Sequence, residues 1–453
     1  LHELCGARCG IVTRLYKELG VDMDWIEVPD CFRTITVGSD GKKLDVTMPS
    51  GREAFISKME EYVPGTRDKM ERLFRLFDEC NGGVDYFSSH PDYDLGYLFK
   101  NYSNFLVTGP HSAYTVFKSL DLPDKAIDIL SVYWSYLGVD LRHLSFLHYV
   151  IMVDSYISGG AVIPCHTSHE MSQKLVEAFR RLGGDVWYNT RATEILFSDG
   201  KVSGVRTTQG DAETQCVLPN INEDIVYGSL IPTELVPERK KRTASARNRD
   251  YGGRMVTAYF CLDKTYEELG IKDYSVFFQS SADSTKEYNS MMKGFSSNYF
   301  AILLCYNVIN PKASPEGTCI CSFTTFTGRE EWENLSGREY LEKKEQYAER
   351  FLEIAEKNYG VSLRGHIEEM TVATPLTFAR YLGTPEGCVY GHETKDKDGI
   401  VARILSAEKD YPLKGLYPIG ADGLQGDGYP AAYGTGEALA LRALEEMKEV
   451  THG

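Results

Sequence analysis

Gly415-Leu416-Tyr417-Pro418-Ile419-Gly420-Ala421-Asp422-Gly423-Leu424-Gln425-Gly426-Asp427-Gly428-Tyr429-Pro430-Ala431-Ala432-Tyr433-Gly434-Thr435-Gly436 reads as a short buried strand, a glycine-rich turn and a helix opening at Pro430. The apolar run Leu416 to Ile419 has the length of a strand covered on both faces, and Gly420 marks a close approach of backbone. Proline suits a first helical turn, because the N–H it lacks would have no partner there. Ala438, Leu439, Leu441, Ala443 and Leu444 continue the helix. Ala431, Ala432 and Gly434 leave its first turn free of bulk, so its unpaired amides suit an anion or an electron-rich ring edge. The plainer alternative is a tight strand-to-helix corner whose glycines serve packing.

Two further landmarks lie upstream. Gly159-Gly160 leads into Met171, Leu175, Phe179 and Leu182, a helical stripe ending at Gly183-Gly184. Asp185 to Asn189 is expected as a strand, Ala192 to Phe197 and Val202 to Thr207 as a hairpin across Asp199-Gly200, and Cys216-Val217-Leu218-Pro219-Asn220 as another strand. The second landmark is Thr374-Pro375-Leu376-Thr377, with Gly383 and Gly391 after it.

In this order and spacing, the three landmarks resemble the phytoene desaturase, carotenoid isomerase and retinol saturase group of FAD-dependent oxidoreductases. The resemblance implies a mixed α/β chain: a discontinuous Rossmann-like FAD/NAD(P)-binding domain (1–20, 155–225 and 370–453) and a substrate domain of antiparallel sheet and helices (21–154 and 226–369). It places Gly420 and Asp422 by the flavin's ribityl chain, with Ala421 between them as in retinol saturases. Tyr429, Pro430 and Ala431 fall by the isoalloxazine, with Gly428 a further cofactor-binding residue, Arg191 and Ala192 by the adenine, and Asn220 at the end of its strand. In the family, a Gly-x-Gly-x-x-Gly unit comes first and holds the FAD pyrophosphate. That fingerprint does not occur in these residues, and the expectation is that the unit is truncated, disordered or supplied by another polypeptide.

The segment matching Leu1 to Gly6 passes near the flavin in the family, so His2 and Glu3 are candidates for acid or base, with Tyr429 the third; a frayed terminus is the alternative for the first two. Ile11, Leu15 and Leu19 predict one apolar helical face stopped by Gly20. Asp24 to Thr47 reads as strands with a hairpin at Gly38 to Gly41, and Arg254–Cys261, Phe300–Tyr306 and Thr318–Thr325 are expected to complete an antiparallel sheet. Between Tyr86 and Ser158 aromatics recur at helical spacing, which fits an aromatic core, a π-rich tunnel for an apolar substrate, or a surface that dips into lipid. Arg239-Lys240-Lys241-Arg242 with Arg247 and Arg249 reads as a solvated face, with anionic lipid or NAD(P) contact the minority alternative.

A formal net charge of -16 over 453 residues argues against nucleic acid as a partner. Eleven scattered cysteines fit reduced thiols of a cytoplasm. Cys5-Gly6-Ala7-Arg8-Cys9 has no further Cys or His at ligand spacing, so no metal site is expected. No run approaches the roughly 18 to 20 apolar residues that span a bilayer, and peripheral membrane contact and a homo-oligomer both remain compatible. The expected reaction is hydride transfer between flavin and a carbon of an apolar, unsaturated substrate. A flavin-free lipid-binding or subunit-interaction module and a flavin amine oxidase are the two alternatives.

Overall fold

The computed structural model describes residues 3–7, 10–90, 92–238, 240, 251–392, 411–421, 426 and 428–452. His2, Asp422 and all of the basic run except Lys240 therefore lie outside the described residues. A seven-stranded sheet forms the centre, in the order Ile367–Ala373, Met255–Leu262, Cys319–Phe326, Ala301–Cys305, Ser275–Phe278, Asp30–Val37, Lys43–Pro49. The strands expected around residues 254, 300 and 318 are all present and pair antiparallel. One pairing departs from the expected pattern: Asp30–Val37 runs parallel to Ser275–Phe278. The early hairpin joins by its outer edge, after a long helical excursion, so its direction is not set by a short turn.

Alternation along these strands buries both faces of the sheet. Val276, Phe278, Leu303 and Phe323 face the helix Gly337–Ile354, where Phe323 stacks on Phe351 at 5.6 Å. Ser336 and Glu339 close a capping box at the start of that helix. On the opposite face, Phe32, Val46, Phe277, Ile302 and Leu304 pack against helices drawn from residues 52–157. The expected aromatic core is there, with Phe105, Phe117, Trp134, Phe146 and Tyr149 fully buried. Each such ring removes enough apolar surface from water to contribute about 2–3 kcal/mol. Leu95, Tyr97, Phe99 and Val107 on the short helices Leu95–Asn101 and Ser103–Thr108 are instead exposed. Among the described residues no helix is long and apolar enough to cross a membrane.

Several local expectations fail. Cys216 to Asn220 and Leu416 to Ile419 are not regular strands but meet in a single parallel bridge, Val217 with Leu416, because Pro219 and Pro418 lack the N–H groups a ladder needs. Asp185 to Asn189 is irregular, with Trp187 and Tyr188 exposed. There the Asp185 carboxylate accepts from the Val186 N–H and the Trp187 indole, a local bonding that competes with a strand. In the helix Ile11–Glu18 the buried pair is Val12 and Tyr16, and Leu19 is exposed. In Ser168–Arg181, Met171 and Ala178 are buried, whereas Phe179 and Leu182 are exposed. Both helices are short and covered along one line by distant segments, so the covering chain chooses the face.

Candidate active site

Two structural units meet at the chain's last landmark. Val217 and Leu416 pair in parallel: the Val217 N–H donates to the Gly415 carbonyl at 2.8 Å, the Tyr417 N–H to Val217 at 3.0 Å, and the Ile419 N–H to Pro219 at 3.1 Å. This pairing brings Gly420 against Asn220. Gly420 has a φ of 97°, and a Cβ there would collide with Asn220 Oδ1, which is the close approach that calls for glycine. The chain then turns into the helix Tyr429–His452. Among the described residues, the bond that opens this helix runs from the Ala432 N–H to Gly428 at 3.0 Å, and the Tyr429 and Ala431 amides lie in the first turn ahead of it.

That helix is held in place near its start. Arg14 makes a two-pronged pair with Glu437 at 3.0 and 2.6 Å. Tyr16 donates to the Met171 carbonyl at 3.1 Å and lies 3.1 Å, hydroxyl to hydroxyl, from Tyr433. Thr435 is 1% exposed, and among the described residues its hydroxyl has no partner. First-turn amides, the small residues Gly428, Ala431 and Ala432, and the Thr435 hydroxyl are of the kind that fits the electron-rich edge of a flavin. A cleft of about 1430 Å³ runs beside the same corner, lined by Val202, Cys216, Tyr417, Arg442 and Glu446, but none of the candidate site residues borders it.

A small sheet connects this corner to the aromatic core. Leu4–Cys5 and Trp25–Val28 both pair antiparallel with Ala161–Pro164. Leu4 and Val162 face Tyr16, Met171 and Tyr433 on the side of the helix start. By alternation, Cys5, Ala161 and Ile163 face the aromatic helices. Glu3 joins that second side. It is 6% exposed, accepts from the Tyr136 hydroxyl on Oε1 at 3.3 Å, and has no partner on Oε2 among the described residues. Tyr133, Tyr136 and Tyr156 enclose it, their rings 4.9 to 5.5 Å apart. Burial pushes the Glu3 carboxyl up to about 8, and the Tyr136 bond offsets only part of that rise, so at neutral pH this group keeps its proton.

No family model matches the sequence. The all-trans-retinol 13,14-reductase of Macaca fascicularis is 26% identical over 440 residues, 88% of this chain and 70% of that protein. Prolycopene isomerase 1 of an Oncidium hybrid cultivar is 21% identical over 427 residues, 89% of this chain and 68% of that protein. Over most of its length the chain is thus similar to retinol 13,14-reductases and prolycopene isomerases. Solved structures agree on the fold. An oxidoreductase from Methanosarcina mazei superposes with a TM-score of 0.60 at 12% identity, covering 97% of this chain and 87% of that one. Putrescine oxidase bound to putrescine gives 0.59 at 12% identity over 96% and 85%.

The candidate residues divide. Asn220, Gly420, Gly428, Tyr429, Pro430 and Ala431 belong to the strand-and-helix corner, and Tyr429 is 40% exposed. Glu3 lies on the opposite face of the adjoining small sheet. Arg191 and Ala192 are exposed at the start of the hairpin sheet, where the Arg191 N–H and carbonyl bond Thr208 at 3.1 and 3.0 Å. Thr374-Pro375-Leu376-Thr377 is a helix start, with Thr374 and Thr377 bonded reciprocally as a capping box and Pro375 at the first helical position. Sequence reasoning passed over His392, next to the Gly391 it noted. His392 is 5% exposed and stacks on Tyr251 at 4.9 Å, and the Tyr251 hydroxyl donates to the Asp224 carboxylate. Asp224 follows Asn220 by four residues, a proximity that was readable once Asn220 was singled out.

Proposed function

We propose that this protein reduces or isomerises a carbon–carbon double bond of a polyene or similar apolar lipid, with Glu3 as the group that holds and delivers the proton. The observation that carries this reading is a carboxyl kept neutral inside a tyrosine enclosure, one residue before a strand whose other face meets the helix start. FAD, when bound, supplies or accepts the hydride. Asn220, Gly420, Gly428 and the amides of Tyr429 and Ala431 would hold it. The helix end favours negative charge at the ring edge it faces.

The aromatic side chains around Glu3 exclude water and match an apolar chain. A neutral Glu3 uses Oε1 to accept from Tyr136, which leaves the Oε2–H free to donate to a substrate carbon. In the reducing direction each turnover consumes this proton and one hydride, with the electrons arriving from a donor of the NAD(P)H class. Exposed Leu95, Tyr97, Phe99 and Val107 offer apolar side chains for collecting the substrate at a membrane surface. A cytoplasmic or membrane-peripheral location goes with that role. The amine alternative keeps only the shared fold, since the relatives that align along the sequence are named for polyene chemistry.

The test is direct. The flavin-loaded protein is incubated anaerobically with an all-trans polyenol or a poly-cis carotene, and the products are separated by chromatography and mass spectrometry. A product two hydrogens heavier, or of equal mass and changed geometry, is the expected result. Peroxide release from an amine with every polyene untouched would overturn the reading.

A further inference from the structure

The central sheet gathers three cysteines that sequence spacing alone did not connect. Cys305 is the direct cross-strand partner of Cys321, and Cys319 precedes Cys321 by two residues, so all three side chains emerge on one face. Their sulfurs lie within 4.8 Å of one another, and all three residues are 0% exposed. Thiol hydrogen bonds connect the three. The surroundings are apolar: Phe260, Leu262, Ile271 and Phe323 belong to the same packed cluster.

We propose that Cys305, Cys319 and Cys321 form a three-sulfur site for a soft monovalent cation of the copper(I) class. Metal–thiolate bonds of about 2.3 Å place sulfurs about 4 Å apart, which this trio reaches by shifts of less than about 1 Å. The donor set selects the ion. Sulfur ligands disfavour calcium and magnesium, which take oxygen. Zinc in a structural site takes four ligands, and among the described residues no His, Asp, Glu or fourth Cys joins the group. The apolar lining offers no stable place for water as a fourth ligand. A three-coordinate soft ion fits what remains. The ion enters as +1, the thiols it meets release protons to solvent, and no electron is transferred.

Three cysteines on one sheet face also pack as small apolar side chains, and the experiment separates the two roles. Reduced protein is titrated anaerobically with copper(I) carried by bicinchoninate. Expected are one ion taken per chain, an ultraviolet sulfur-to-metal charge-transfer band, and an X-ray absorption spectrum with three sulfurs at about 2.3 Å. The thermal midpoint should rise as the ion binds the folded state. Cys319→Ser and Cys305→Ala should each weaken retention against the chelator at least about tenfold, a loss of one ligand's worth of binding. If either variant unfolds, the other carries the test. Cys261 pairs with Ile320 and so points to the opposite face, and Cys261→Ser should bind as the native protein does. No uptake, uptake unchanged in both cluster variants, loss of uptake in Cys261→Ser, or a Cys305 to Cys321 disulfide in protein isolated under reducing conditions would each overturn the assignment.

Discussion

The two faces of the small sheet Leu4–Cys5, Ala161–Pro164 and Trp25–Val28 obey different rules. The Leu4 face packs on Tyr16, Met171 and Tyr433, toward the start of the helix Tyr429–His452, and the nearby corner is shaped by backbone, with the Val217–Leu416 bridge and a glycine at φ 97°. On the Glu3 face, the geometry belongs to side chains, where one carboxyl sits among tyrosines from residues 133, 136 and 156 and beside Tyr274. A cofactor common to many enzymes is met by backbone, which tolerates sequence change. A particular substrate is met by side chains, which do not. A change on the second face should therefore cost turnover while sparing the fold, and a change on the first should cost stability and cofactor retention.

The largest effect is expected from Glu3→Gln. The amide matches the carboxyl in shape but cannot donate the proton, so turnover in the reducing direction should fall by about 100-fold or more. The pH dependence sharpens the point. Activity that needs the neutral carboxyl should fade as pH rises through about 8. Stability has its own window. The folded group holds its proton up to about 8, whereas the unfolded chain releases it near 4.5. Between those values the native state binds more protons than the unfolded one, so stability falls as pH rises, and the contribution is complete only below the lower value. Glu3→Gln should lack this slope, which urea unfolding on either side of the window measures. A variant with native turnover and the native slope would remove Glu3 from the chemistry.

What was legible in the sequence follows the same division. The helix opening at Tyr429, the hairpin after Ala192 and the Thr-Pro-Leu-Thr helix start are local devices, built by residues a few positions apart, and all stand where the sequence put them. The face of Ile11–Glu18 was not readable, because Tyr16 is covered by Trp25, Met171 and Tyr433. Asp185 to Asn189 looked like a strand by composition, yet a strand needs a partner's ladder and composition does not reveal one. Glu3 was singled out by resemblance, but its enclosure comes from residues more than a hundred positions away and became visible only in the fold. The cysteine trio was missed for the same reason, since strand register and not spacing unites it.

Gly420→Ala tests the backbone face. It adds a Cβ where Asn220 Oδ1 already stands and forces an L residue to a φ of 97°, a strain of about 1–3 kcal/mol. The thermal midpoint and the flavin content should fall together, while the activity of chains that retain flavin stays near native. If Gly420→Ala left both unchanged, the corner would be a packing turn and the division between the two faces would fail.

The smallest effect should come from Tyr16→Phe, which lies between the corner and the sheet. The ring stays buried against Trp25, and only the hydroxyl's bonds to the Met171 carbonyl and Tyr433 are lost. One net hydrogen bond is worth about 1 kcal/mol, and leaving the Met171 carbonyl unpaired adds to that. The consequence for function should be indirect. Tyr433 loses a partner one turn into the helix, so the position of the helix start should loosen and flavin affinity should fall a few-fold, with the turnover of loaded enzyme unchanged. Binding measured against turnover separates the cases. If Tyr16→Phe lowers turnover as Glu3→Gln does, the Tyr16 to Tyr433 pair belongs to the chemistry, and the small sheet does not divide cofactor from substrate in the way its two faces indicate.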